Sequence, residues 1–238
     1  MMSKAPIIGS SIRPSDIIDV FSNISDAAAL PAFTESLSSF YCGREIFLLD
    51  SGISCLEVIL RCLKEDGGRN EVMVPAYSPI VIVDTVLRCG LKPVLCDISI
   101  NTFNCDYDLL LKNVSEKTLL VLAVHMFGIT IKGIDKLRAA LPADVYLVED
   151  CAQSMGSSFK GKQSGTFSDA SFFSFGRGKN ISLCAGGFIA SGNKNLSGKI
   201  KKYLSSLKVP GGLEELFWFI SVLRSEEHTS ELQSHHPI

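Results

Sequence analysis

The 238-residue chain is 46% hydrophobic and 20% charged, with a formal net charge of −2, the composition of a globular protein able to bury a sizeable core. So even a charge balance gives no electrostatic case for nucleic acid or an acidic membrane as partner. No apolar run reaches the ~20 residues of a transmembrane helix, and the start, MMSKAPIIGSSIRPSD, lacks an apolar core ahead of a small-residue cleavage site. The expected location is therefore cytoplasmic. The eight cysteines (positions 42, 55, 62, 89, 96, 105, 151 and 184) form no C-x-x-C and no zinc spacing, which predicts reduced, mostly buried thiols. Three of the four histidines (His228, His235, His236) fall at the end of the chain, leaving His125 alone in the body, so no metal site is expected.

Residues 1–40 are read as an N-terminal segment. Residues 41–192 are read as one large domain, and from 46 to 150 two periods alternate. Short β-rich runs are expected at 46–49, 71–74, 94–96, 119–124 and 145–148. Helical spacing separates them: Leu56, Ile59, Leu60 and Leu63 after Ser51-Gly52, Val83, Val86 and Leu87 after Pro79, and Ile134, Leu137, Arg138 and Leu141 after Gly133. Nearly continuous apolar strands alternating with helices predict an α/β fold, a mostly parallel sheet covered on both faces. Two more strands are expected at 170–175 and 187–191, joined by a Gly-rich link, with helices at 194–206 and 213–223 beginning a C-terminal helical region (193–223). The last stretch, RSEEHTSELQSHHPI (224–238), changes character abruptly. Its first twelve residues match the in-frame reading of a short-read sequencing adapter, so it is excluded from fold reasoning as an artefactual tail.

In open α/β sheets, ligands sit beyond the carboxyl ends of the strands. Asp50-Ser51-Gly52, Glu149-Asp150 and Ser174 are expected there. The run VYLVEDCAQ (145–153) delivers two carboxylates from an apolar strand, which could cap a helix or face a cation. In SFFSFGRGKN (171–180) the lysine follows a Gly-rich turn, which could leave it a solvated surface charge or suggest a phosphate loop. The phosphate-loop pattern fails, because Phe173 stands at the first glycine and Asn180 follows the lysine; no G-x-G-x-x-G follows a strand either.

The ordered segments VPAYSP, GLKPVLCDI, AVHMFG, VEDCAQSMGSSFKGKQSGTFSDASFFSF, GRGKN and AGGF, spanning roughly 40–192, resemble the DegT/DnrJ/StrS aminotransferases. The resemblance implies the large domain of fold-type-I enzymes dependent on pyridoxal 5′-phosphate (PLP), acting as homodimers on nucleotide-linked keto-sugars with an amino-acid donor such as glutamate, in amino-sugar and surface-glycan biosynthesis. It further implies that Lys179 joins the cofactor as a Schiff base and shuttles protons, while Asp150, 29 positions earlier, pairs with the ring nitrogen. Gln153 would lie near the phenolic oxygen, and Ser51, Gly52 and Ser174 would hold the phosphate at a helix N-terminus. His125 matches a position beside the cofactor, against which stands a hydrogen-bonded core histidine. Three departures mark the chain: Pro79 stands at the ring-stacking aromatic, Ile53 at a phosphate-binding threonine, and Ala185 at a glutamate. Related sugar dehydratases carry histidine at the lysine position, so Lys179 favours transamination. The alternatives are a non-catalytic PLP-binding or regulatory relative, or an inactive fragment lacking the small C-terminal domain.

Overall fold

The computed structural model describes residues 28–64, 68–105, 107–176, 178–183 and 185–207. In chain order these give α1 (Ala29–Phe40), β1 (Glu45–Leu49), α2 (Gly52–Lys64), β2 (Glu71–Pro75), α3 (Ile80–Arg88), β3 (Lys92–Cys96) and α4 (Tyr107–Asn113). There follow β4 (Thr118–Val124), a 3-10 turn (Met126–Gly128), α5 (Ile134–Ala140), β5 (Tyr146–Asp150), β6 (Ser158–Phe159), β7 (Lys162–Gln163), β8 (Ala170–Ser174), β9 (Gly187–Ser191) and α6 (Lys194–Ser206). The chain divides into two units at Lys201, and the description concerns the first; of the second, only 202–207 are described, where α6 ends. The expected helix at 213–223 and the tail at 224–238 lie outside the described residues.

Seven strands make one sheet in the order β1-β9-β8-β5-β4-β2-β3. Parallel pairing joins β3, β2, β4, β5 and β8, while β9 runs antiparallel to both β8 and β1. This is the expected mostly parallel, mixed sheet. All seven residues of β4, TLLVLAV, are buried, as a strand covered on both faces requires. Pro93 is tolerated because β3 is an edge strand, where a missing N–H costs little.

Helix α2 forms because its apolar residues recur at helical spacing. It buries Cys55, Leu56, Val58, Ile59, Leu60, Cys62 and Leu63, and Ser51 opens it with a hydroxyl that accepts the Ser54 N–H at 3.1 Å. One core cluster gathers Met73, Leu110, Val121, Ile134, Leu137, Val145 and Leu147. Another gathers Leu37 and Tyr41 with Phe173, Phe175 and Phe188, where the Phe173 and Phe188 rings stack at 4.3 Å.

Three elements were not expected from the sequence. Helix α1 lies within the stretch read as an N-terminal segment, and α4 is too short at seven residues to show a period. The β6–β7 hairpin turns on Lys160 and Gly161, both at positive φ (51° and 76°), the geometry of a tight two-residue turn that usually carries Asn-Gly.

Candidate active site

The carboxyl ends of the parallel strands bring the expected residues to one side of the sheet. Alternation along a strand sends neighbouring side chains to opposite faces. Asp150 is paired with Phe172, so Ser174, two residues on, shares its face. Beside Ser174 the start of α2 comes very close. A Cβ on Gly52 would lie 3.0 Å from Ser174 Cβ, and one on Gly187 would lie 2.5 Å from the Phe173 carbonyl and 2.8 Å from Gly52 N. The Gly187 position admits only glycine and the Gly52 position leaves a Cβ very little room, so β8, β9 and the helix start come into close approach. The hydroxyls of Ser51 and Ser54 lie 2.8 Å apart there, and the Cys55 N–H closes the first turn on the Ser51 carbonyl. The earlier amides, at Gly52 and Ile53, have no carbonyl a turn before them in the helix. Ser54 is a group that the sequence reading missed; its signal is the three-residue spacing from Ser51 across a helix start.

Asp150 ends β5 and is almost wholly buried. Its Oδ1 accepts the Ala152 N–H at 2.9 Å. Burial holds its carboxyl above the usual carboxylate range, opposed by that N–H and by the positive charge of Lys179. Lys179 is half-buried on the turn after β8, where its N–H donates to the Gly176 carbonyl at 3.3 Å and the Gly176 N–H donates to Ser174 Oγ at 3.2 Å. The Asn180 side chain ties this turn to the Met155 carbonyl at 3.0 Å. Gln153 accepts the Phe127 N–H at 2.9 Å through Oε1, leaving its amide N–H groups to donate elsewhere. Pro79 is exposed at the entry to α3, and Ile53 and Ala185 are half-buried.

His125 stands apart from this group. It follows Val124, the partner of Asp150, so the pleat sends it to the opposite face with Glu149 and Cys151. Its Nε2 lies 2.9 Å from Glu149 Oε2 and its Nδ1 accepts the Ile131 N–H at 3.2 Å. Both ring nitrogens are engaged and the residue is buried, which are the contacts of a hydrogen-bonded core histidine. His125, Glu149 and Cys151 bring ligand-type atoms within 4.8 Å of one another. The hydrogen bonds occupy both nitrogens and both carboxylate oxygens, however, and burial pushes the Cys151 thiol up, keeping it protonated.

Among curated proteins, the GDP-perosamine synthase of Vibrio cholerae is 31% identical over 160 residues, covering 67% of this chain and 43% of that protein. The dTDP-3-amino-3,6-dideoxy-alpha-D-galactopyranose transaminase of Aneurinibacillus thermoaerophilus is 32% identical over 139 residues, covering 57% of this chain and 37% of the relative. The chain thus spans less than half the length of these relatives. Among solved structures, Spr1654 of Streptococcus pneumoniae, provisionally described as a sugar aminotransferase and crystallised in a PLP-form, superposes with a TM-score of 0.74 at 26% identity. That match covers 83% of this chain and 57% of the other. The profile of one family matches residues 23–214, most of the chain and the whole of the site. That match covers well over half of the sequence: the chain belongs to the DegT/DnrJ/EryC1/StrS aminotransferase family.

Proposed function

We propose that this chain carries the cofactor-binding part of a PLP-dependent aminotransferase that transfers an amino group from an amino acid, glutamate in our reading, to a nucleotide-linked keto-sugar. One observation carries the reading. A carboxylate buried at a strand end, Asp150, has one hydrogen-bond donor among the described residues, the Ala152 N–H, and shares its face with Ser174 and the bare start of α2. A buried carboxylate held above its usual range is stabilised by a cation, and a protonated pyridine is one. The helix start, kept open by Gly52 and Gly187, suits a phosphate. The names of the two relatives, both nucleotide-sugar enzymes, support the substrate class.

PLP, when bound, supplies an electron sink for the carbon that loses its proton. The residues supply the rest. Asp150 sets a negative charge against the ring nitrogen and keeps it protonated. Lys179 would hold the cofactor through Nζ, and its amine would carry the proton to and from the substrate carbon. Ser51, Gly52 and Ser174 would take the phosphate; Ile53 would contribute its backbone N–H but no hydroxyl. Gln153, with Oε1 committed to Phe127, would have its N–H donors free for the phenolic oxygen. Pro79 would stand at the ring face in place of an aromatic, and His125 would support the site from the far face of the sheet.

Residues 41–192 are the cofactor domain in this reading, followed by α6 (Lys194–Ser206). Tyr77, Phe103 and Phe127 are 47%, 42% and 57% exposed and touch one another, with Phe103 and Phe127 meeting edge to face at 5.8 Å. Such a patch suits a second copy of the chain, and we propose a homodimer. No helix among the described residues is long and apolar enough to cross a membrane, and we place the activity in the cytoplasm.

The test is attachment. Incubation with PLP, borohydride reduction and peptide mapping should fix the pyridoxyl group on Lys179, and Lys179→Ala should abolish it. Labelling spread over other lysines, unchanged in Lys179→Ala, would refute the assignment.

A further inference from the structure

Glu149 has no role in the site as described, yet it is the more deeply buried of the two adjacent carboxylates, with 0% of its surface exposed. The pleat points it away from the face that Asp150 occupies. Oε2 accepts the Gly165 N–H at 2.8 Å and faces His125 Nε2 at 2.9 Å; Oε1 accepts the Phe167 N–H at 2.8 Å and the Ser168 hydroxyl at 2.7 Å. Because His125 Nδ1 already accepts the Ile131 N–H, the ring proton sits on Nε2 and points at the carboxylate. Burial alone would raise the Glu149 carboxyl. The donors from His125, Gly165 and Ser168 outweigh it and hold it below its usual range, so the charge persists inside the protein.

These donors come from both sides of β5. His125 continues β4, and its own N–H donates to the Asp150 carbonyl at 3.1 Å. Gly165, Phe167 and Ser168 lie on the loop before β8, and the Ser168 carbonyl accepts Arg44 Nη2 at 2.7 Å, from the residue before β1. One carboxylate therefore joins the end of β5 to the end of β4 and to the loop entering β8. From these contacts we infer that Glu149 is a positioning residue: by clamping the end of β5 on both sides, it fixes the orientation of the Asp150 carboxylate, which is one residue later on the opposite face. The consequence for PLP rests on the proposal that Asp150 meets the ring nitrogen. The clamp itself does not.

Glu149→Gln preserves shape and removes the clamp. Whichever way the amide is turned, its NH2 faces a backbone N–H, from Gly165 or from Phe167, and donor meets donor. The first readout needs no cofactor. Ala152 donates to Asp150 Oδ1, so its amide exchange reports whether that carboxylate holds its place. In the chain without PLP, Glu149→Gln should speed Ala152 exchange by about tenfold while β4 amides keep their protection, and Asp150→Ala should set the upper limit. The second readout is the 15N shift of ring-labelled PLP bound to the chain, which should move toward the unprotonated value in Glu149→Gln and in Asp150→Asn. Ala152 exchange within about twofold of wild type in a folded Glu149→Gln chain overturns the inference. If Ala152 exchange rises but neither variant moves the 15N shift, the clamp stands and the PLP reading of Asp150 fails. Should Glu149→Gln fail to fold, Ser168→Ala removes one donor and leaves the carboxylate; its Ala152 exchange should rise by a smaller factor, and a wild-type rate there overturns the inference.

Discussion

Asp150 carries a conflict between stability and function that pH can expose. Its folded-state carboxyl is raised above the usual aspartate range, mainly by burial. An acid whose folded pKa is raised destabilises the fold while it is ionised. That cost is present above the folded pKa and disappears as pH falls through it toward the unfolded value. Asp150→Asn removes the charge and keeps an acceptor for the Ala152 N–H. Without PLP it should melt higher than wild type at neutral pH, with the gain fading as the pH approaches 4. The same variant should bind PLP about a hundredfold more weakly, the scale of breaking a buried charge pair. Thermal melts across pH together with PLP titrations check both halves; a variant less stable than wild type at pH 7 would contradict the burial argument. The family resemblance singled out Asp150 and Lys179; Glu149 stood beside Asp150 at the same strand end with no role of its own, since both carboxylates are neighbours in one apolar strand. Only the pleat assigns each to its face.

At the scale of elements, the site depends on how closely α2 can start against the sheet. Gly187 opens β9 where an added Cβ would meet three backbone atoms: Phe173 O at 2.5 Å, Gly52 N at 2.8 Å and Ser51 C at 2.8 Å. None belongs to a side chain that could turn aside. Gly187→Ala should therefore cost about 3 kcal/mol, at the upper end for an overpacked position. It should also weaken PLP binding, because relieving the clash moves the helix start that the phosphate needs. Denaturant unfolding with a PLP titration measures both, and an alanine variant of unchanged stability and affinity would show that this approach is not close. The sequence offered Gly186-Gly187 as part of a family pattern. The reason for it lies in α2, more than a hundred residues earlier, and no local reading supplies that.

For the whole molecule, a ligand that bridges α2, β5 and the turn after β8 should stabilise their common arrangement. PLP at about a hundred times its dissociation constant adds about 2.7 kcal/mol, which for a chain of this length raises the melting temperature by about 5–10 °C. Lys179→Ala should keep only the non-covalent part of that shift. A wild-type chain whose melting is indifferent to PLP would count against the site as a whole. The sequence by itself determined the alternation of strands and helices, because a buried strand and a half-buried helix each write their own period into the apolar positions. It also placed Asp50-Ser51-Gly52, Glu149-Asp150 and Ser174 at the carboxyl ends of strands. The tertiary structure alone decided the strand order, the reversed direction of β9, the glycine contact between β9 and α2, and the placing of His125 with Glu149 behind the sheet. The physical reason is range. Periodicity is set within a few residues, whereas pairing, register and the facing of side chains across strands are set by contacts between segments far apart in the chain.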